Sequence, residues 1–91
     1  MAPPVIKLLS KNYGEVIYLY EFRAVGDELA LHNHSFMHRA MICPGSQFEW
    51  FTTKHKGEVV GPAVLTFPAG VQHGLRALSA GSSCFIPMPE T

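Results

Sequence analysis

The chain has 91 residues, 47% of them apolar and 11% aromatic, which is the composition of one small globular domain and excludes a disordered or fibrous chain. Seven Lys and Arg cancel seven Asp and Glu, and the cations are scattered from Lys7 to Arg76, so no basic face is expected and nucleic acid is excluded as a partner. No apolar run reaches the roughly 18 residues of a bilayer span, and Met1-Ala2-Pro3-Pro4 carries neither the charged nor the apolar part of a secretion signal, so no membrane contact and a cytoplasmic location are expected.

In chain order, Gly and Pro punctuate the sequence at Gly14, Gly26, Pro44-Gly45, Gly57, Gly61-Pro62, Pro68-Ala69-Gly70, Gly74 and Gly81. Strands fit between these breaks and long helices do not. The β-branched and aromatic stretches run from Val5 to Leu9, Val16 to Phe22, Leu29 to His34, His38 to Ile42, Gln47 to Thr53, Pro62 to Phe67, Gln72 to Leu78 and Ser83 to Pro87. They predict an all-β fold of about eight short antiparallel strands, a sandwich or barrel in one domain spanning 1–91. The polar stretch Thr53-Lys54-His55-Lys56-Gly57-Glu58 is expected to be an exposed hairpin loop. Cys43 and Cys84 read as reduced thiols and not as a staple. Charged residues make up only 15% of the chain, against an average of about 25%, and the uncovered apolar surface points to a homodimer.

Three of the five histidines fall within seven residues, His32, His34 and His38. Residues i and i+2 of a strand share a face about 6–7 Å apart, so His32 and His34 can converge on one ion. A tight turn would bring His38 opposite them on a neighbouring antiparallel strand. His73 follows Pro68-Ala69-Gly70, a turn that aims the next strand back across a barrel. A single histidine is more commonly a packing or surface residue, but a His-x-His pair with a third histidine four residues on favours metal binding. His55, between Lys54 and Lys56, reads as solvated.

These motifs resemble those of the cupin family. Its first motif places five residues between Gly and His-x-His, then three or four before Glu and six before Gly. Here Gly26, His32-Asn33-His34, His38 and Gly45 keep every spacing, with His38 standing where Glu would be. Its second motif is represented by Gly61, Pro68-Ala69-Gly70 and His73, with six residues in place of five after Gly61 and Ala77 where Asn would stand. Motif one thus spans 26–45 and motif two 61–77, with the 15 residues from Ser46 to Val60 between them. The resemblance implies a jelly-roll barrel and one divalent transition metal held by His32, His34, His38 and His73. Imidazole ligands suit Fe, Ni, Cu, Co and Zn, with Mn also admissible, so the ligand set does not choose the ion. With no carboxylate among the ligands a dication keeps its full charge, which favours an anionic small-molecule substrate or a bound hydroxide as a further ligand. Because each imidazole must be neutral to ligate, metal affinity is expected to fall as the pH drops through about 6.5.

Strand parity then sorts the neighbours. With His32 and His34 inward, Ala30 is expected inward and Leu29, Leu31 and Asn33 outward; His38 takes Ala40 and Ile42 inward, and His73 takes Leu75 and Ala77 inward with Arg76 outward. In the second stretch the face carrying Val16, Tyr18, Tyr20 and Phe22 opposes the one carrying Ile17, Leu19, Glu21 and Arg23, and parity alone does not choose the inner one. Phe36 and Phe67 are expected to wall the pocket. The leading functional expectation is a metal-dependent oxygenase or related oxidoreductase acting on a small anionic or enolisable molecule. Glu21, Glu49, Tyr18 and Tyr20 are the residues from which an acid or base would come, with none singled out. The alternatives are a non-catalytic cupin that binds or senses a sugar or organic acid, and a sugar-derivative isomerase or epimerase.

Overall fold

The structure, a computed structural model, describes residues 2–89. Among them lie nine strands and no helix: β1 Val5–Asn12, β2 Glu15–Phe22, β3 Glu28–His32, β4 His38–Ile42, β5 Gln47–Thr52, β6 Lys56–Val60, β7 Ala63–Phe67, β8 His73–Ala77 and β9 Ser82–Pro89. They form a five-stranded sheet in the order β1-β2-β9-β4-β7 and a four-stranded sheet in the order β3-β8-β5-β6, with every pairing antiparallel. Consecutive strands β3 and β4 sit in different sheets, as do β6 and β7 and also β8 and β9, so the chain repeatedly crosses the sandwich. This is a jelly roll, the form of sandwich that the family resemblance implied.

The ninth strand is a correction. β6 begins inside the polar stretch expected to be a loop, and only Thr53, Lys54 and His55 form the turn. Its inward positions are Gly57 and Val59, opposite Trp50 and Phe48. A Cβ on Gly57 would lie 2.7 Å from Cζ2 of Trp50, so the missing side chain is the space the indole occupies. A strand whose inward residue is glycine shows no apolar alternation, and the sequence reads as loop.

The core lies between the sheets. Phe22 and Phe48 are fully buried, their rings 4.8 Å apart at 76°, an edge-to-face pair. Ala40, Ile42, Leu75, Ala77, Cys84 and Ile86 surround them. Tyr20 and Phe22 in the core, with Tyr18 packed against it, identify the inner face of β2. Glu21 lies on the outer face, 2.8 Å from Lys7. Cys43 and Cys84 are unbridged. No helix among the described residues is long and apolar enough to cross a membrane.

Two glycines of the motifs have physical roles. Gly26 has φ +90° in the turn that enters β3, and its N–H donates to the Ala77 carbonyl at 2.9 Å. Asp27, nearly buried, accepts from the N–H groups of Ala24 and Ala2 at 3.1 and 3.2 Å, and these bonds hold its carboxyl below the ordinary range. Gly70 has φ +80° and donates to the His34 carbonyl at 2.8 Å, so the second motif's turn pins the loop of the first.

Candidate metal centre

His32 ends β3, His38 opens β4 and His73 opens β8, and antiparallel pairing sets all three at one mouth of the barrel. Below His38 and His73 on their inner faces lie Ala40, Ile42, Leu75 and Ala77, the hydrocarbon floor that parity predicts, while Arg76 points outward to Glu28 and Glu49, each 2.9 Å away. Two placements differ from expectation. His34 is not on the strand but in the loop after it, held by Gly70. His38 does not come from a hairpin neighbour of β3; it faces the others across the sandwich, and the residue paired with His32 is His73.

A further correction concerns β3. Its ladder with β8 shifts between Leu29 and His32, so Leu29, opposite Leu75, packs on the core and Ala30 is exposed. The extra residue places Leu29 and His32 on one face, which an unbroken period of two forbids.

The four imidazoles each offer a nitrogen to one small volume, all four atoms lying within 4.8 Å of one another. Ring centroids are 4.4 Å apart for His32 and His73, 4.5 Å for His38 and His73, 4.8 Å for His32 and His34 and 5.0 Å for His34 and His38. Nδ1 of His32 lies 2.8 Å from the Ala30 carbonyl and Nδ1 of His73 lies 2.8 Å from the Val71 carbonyl. A carbonyl only accepts, so both rings carry their proton on Nδ1 and turn the Nε2 lone pair inward, an arrangement that prepares histidine for a metal.

Three features test whether these residues fit a cation. Nε2 of His34 is buried without a hydrogen-bond partner among the described residues, and a desolvated ring nitrogen costs free energy unless a ligand meets it; in the tautomer protonated on Nδ1 it offers a lone pair to a cation. Nε2 of His73 and Nδ1 of His38 are 2.9 Å apart, close to the about 3.0 Å between adjacent donors on an ion with bonds of about 2.1 Å. In the metal-free protein the His38 Nδ1–H donates to His73 there, and that proton occupies the space between two ligand lone pairs. No carboxylate joins the cluster among the described residues. The donor set therefore fits a divalent transition ion of imidazole preference.

Electrostatics point the same way. Burial pushes the His38 imidazole down to about 3, with the neighbouring His73, His34 and His32 adding to the effect. Burial also lowers His34, with His32 contributing, and lowers His73 against the opposing bond to the Val71 carbonyl. All three are thus held neutral and ready to ligate at pH values below 6.5, so the expected loss of affinity moves toward more acidic pH.

Aromatic rings close the sides. Phe67 stacks on His73 at 4.5 Å with planes 2° apart, and Phe36 stacks on His34 at 4.8 Å and 15°. His55 stands apart, exposed on the β5–β6 turn. Glu21 and Glu49 are engaged by Lys7 and Arg76 on outer faces, and Tyr20 is buried in the core, where desolvation raises its phenol. Of the residues proposed as acid or base, only Tyr18 borders a cavity that His34 also lines, about 460 Å³ in volume. Lys11 lines it too, a residue that strand alternation from Lys7 places on the opposite face.

No family model and no curated protein matches the sequence. Solved structures do match the fold. A cupin superfamily protein from Desulfitobacterium hafniense DCB-2 is 18% identical with a TM-score of 0.79, covering 97% of this chain and 78% of that one. An RmlC-like cupin protein from Desulfovibrio desulfuricans is 22% identical with a TM-score of 0.79, covering 96% and 82%. KdgF from Halomonas sp. is 17% identical with a TM-score of 0.79, covering 94% and 79%. The chain therefore shares the jelly-roll fold of these cupin proteins.

Proposed function

We propose that the protein is a metal-dependent enzyme of cupin fold, an oxygenase or related oxidoreductase that takes a small anionic or enolisable molecule beside an ion held by His32, His34, His38 and His73. The observation that carries this reading is the convergence of four imidazole nitrogens within 4.8 Å, one of them the unpartnered Nε2 of His34. Bound there, a divalent transition ion supplies Lewis acidity and, if redox-active, electron transfer. The chain's own contributions are to fix the tautomers of His32 and His73 through backbone carbonyls, to keep His34, His38 and His73 neutral by burial, and to exclude water with Phe36 and Phe67. Elemental analysis of protein purified without chelators, with spectroscopy of a Co²⁺-substituted sample, tests the site. A stoichiometric six-coordinate ion supports the enzyme, and failure to bind any divalent transition ion refutes it.

A second reading, non-catalytic binding of a small organic acid or sugar, is favoured by one observation: Glu21 and Glu49 are both engaged in outward ion pairs, which leaves the site without a carboxylate base among the described residues. A closed four-coordinate ion supports this reading over the first.

The same proposal includes a homodimer. On the outer face of the larger sheet, Leu19, Phe85, Met41 and Val64 are cross-strand neighbours in one row, with Val64 62% exposed. Such a row suits the same row of a second copy related by a two-fold axis. Sedimentation of the wild type and of Met41→Glu tests it, the variant being expected to run as a monomer.

A further inference from the structure

We infer that Lys11 selects the ligand, and that the cavity beside His34 takes a small organic carboxylate with an apolar body. This rests on the proposed function for the location of the chemistry, though not for the anion preference itself. The observation behind it is a break in β1. Lys7 lies on the outer face, 2.8 Å from Glu21. Residues four apart on an unbroken strand share a face, so Lys11 belongs with Lys7 in solvent. The ladder between β1 and β2 shifts between Leu8 and Ser10, leaving Leu9 as the extra residue. Leu8 then pairs with Tyr18 and Lys11 with Val16, both on the inner face of β2. The bulge costs regular pairing on an edge strand, and its effect is to bring Lys11 to the inner face beside the cavity that His34 lines.

The cavity reached in this way has about 460 Å³, within the range of small-ligand pockets. Leu8, Val16, Phe36 and Met88 give it apolar walls, and the polar residues that line it are Lys11, Tyr18 and His34. Among the described residues no carboxylate stands within ion-pair distance of Lys11, whereas Lys7 has Glu21. Among the described residues no acidic side chain lines the cavity. A pocket with one cation, one phenolic donor and hydrocarbon walls favours a monoanion whose charge sits at one end.

The test is an NMR titration of isotope-labelled, Zn²⁺-loaded protein with 3-phenylpropionate and with its neutral amide, repeated on chelator-treated protein. Wild type is expected to bind the carboxylate about tenfold more tightly than the amide, with shifts at Leu8, Val16 and Met88. Lys11→Met is expected to erase that ratio while leaving amide affinity and Zn²⁺ affinity unchanged, and Lys11→Arg to restore it. Added salt should weaken carboxylate binding in the wild type and not in Lys11→Met. Absence of carboxylate binding, equal affinity for the amide, or an undiminished ratio in Lys11→Met overturns the inference. If Zn²⁺ fails to bind while the Lys11-dependent ratio persists, the metal reading falls and the anion site stands.

Discussion

Acidification offers a quantitative test of the four-histidine cluster, because burial has changed how strongly protons compete for it. A histidine titrating near its ordinary value of 6.5 loses about tenfold in apparent metal affinity between pH 7.5 and 5.5. Four such groups would together lose about ten-thousandfold, or about 5.5 kcal/mol. His38, pushed down to about 3, is less than about 1% protonated at pH 5.5 and contributes essentially nothing to that loss. His34 and His73, both lowered, contribute less than the ordinary tenfold each. The fall is therefore smaller than the four-imidazole limit by at least about tenfold. Competition titrations of Zn²⁺ or Co²⁺ at pH 7.5, 6.5 and 5.5, in buffers that do not chelate, measure it directly. A full ten-thousandfold decline would show that these rings are solvated and free, and the account of the buried cluster would be wrong.

The same shifts act on the metal-free protein with a definite sign. A folded-state value depressed below the unfolded 6.5 leaves stability intact above that pH and removes it as the pH falls toward about 3, at up to about 1.4 kcal/mol per pH unit for each such group. The metal-free Tm should drop across that window; a rise on acidification would contradict the burial of His38. His34→Ala should sharply lower metal occupancy measured by elemental analysis, while His55→Ala, on the exposed turn, should leave it unchanged. Phe22→Ala, removing a fully buried ring packed edge-on against Phe48, should cost about 3–5 kcal/mol in urea unfolding, and a cost below about 1 would mean that the core is elsewhere. Gly57→Ala should destabilise by about 1–3 kcal/mol, since its methyl would meet the Trp50 indole at 2.7 Å; a neutral substitution would show that β6 does not press against that ring.

What could be read from the sequence was what depends on spacing. Gly26, the His32 and His34 pair, His38, Pro68 to Gly70 and His73 stand at fixed separations, and the fold brings those histidines to one mouth because the turns between them have fixed lengths. Parity also held where strands are unbroken, as for Ala40 and Ile42 beside His38 or Leu75 and Ala77 beside His73. It failed at Leu29 because a single inserted residue inverts every side chain beyond it, and a bulge is stabilised by tertiary packing that no local pattern records. β6 escaped notice because the indole of Trp50 supplies the apolar group that Gly57 lacks. The opposition of His38 to His73 across two sheets was likewise not local, since strands adjacent in sequence had been expected to lie side by side.

That cross-sheet arrangement divides the molecule into two unequal ends. Hydrocarbon locks the sheets together around Phe22 and Phe48, whereas at the mouth the layers meet through the contact between His38 and His73 nitrogens and the stack of Phe67 on His73. Without an ion, breathing motions should therefore begin where β4 and β8 start, and amides there should exchange with deuterium well before those flanking Phe48. A ligated cation would slow that exchange selectively, joining the two layers at their loose end as a rivet joins two plates.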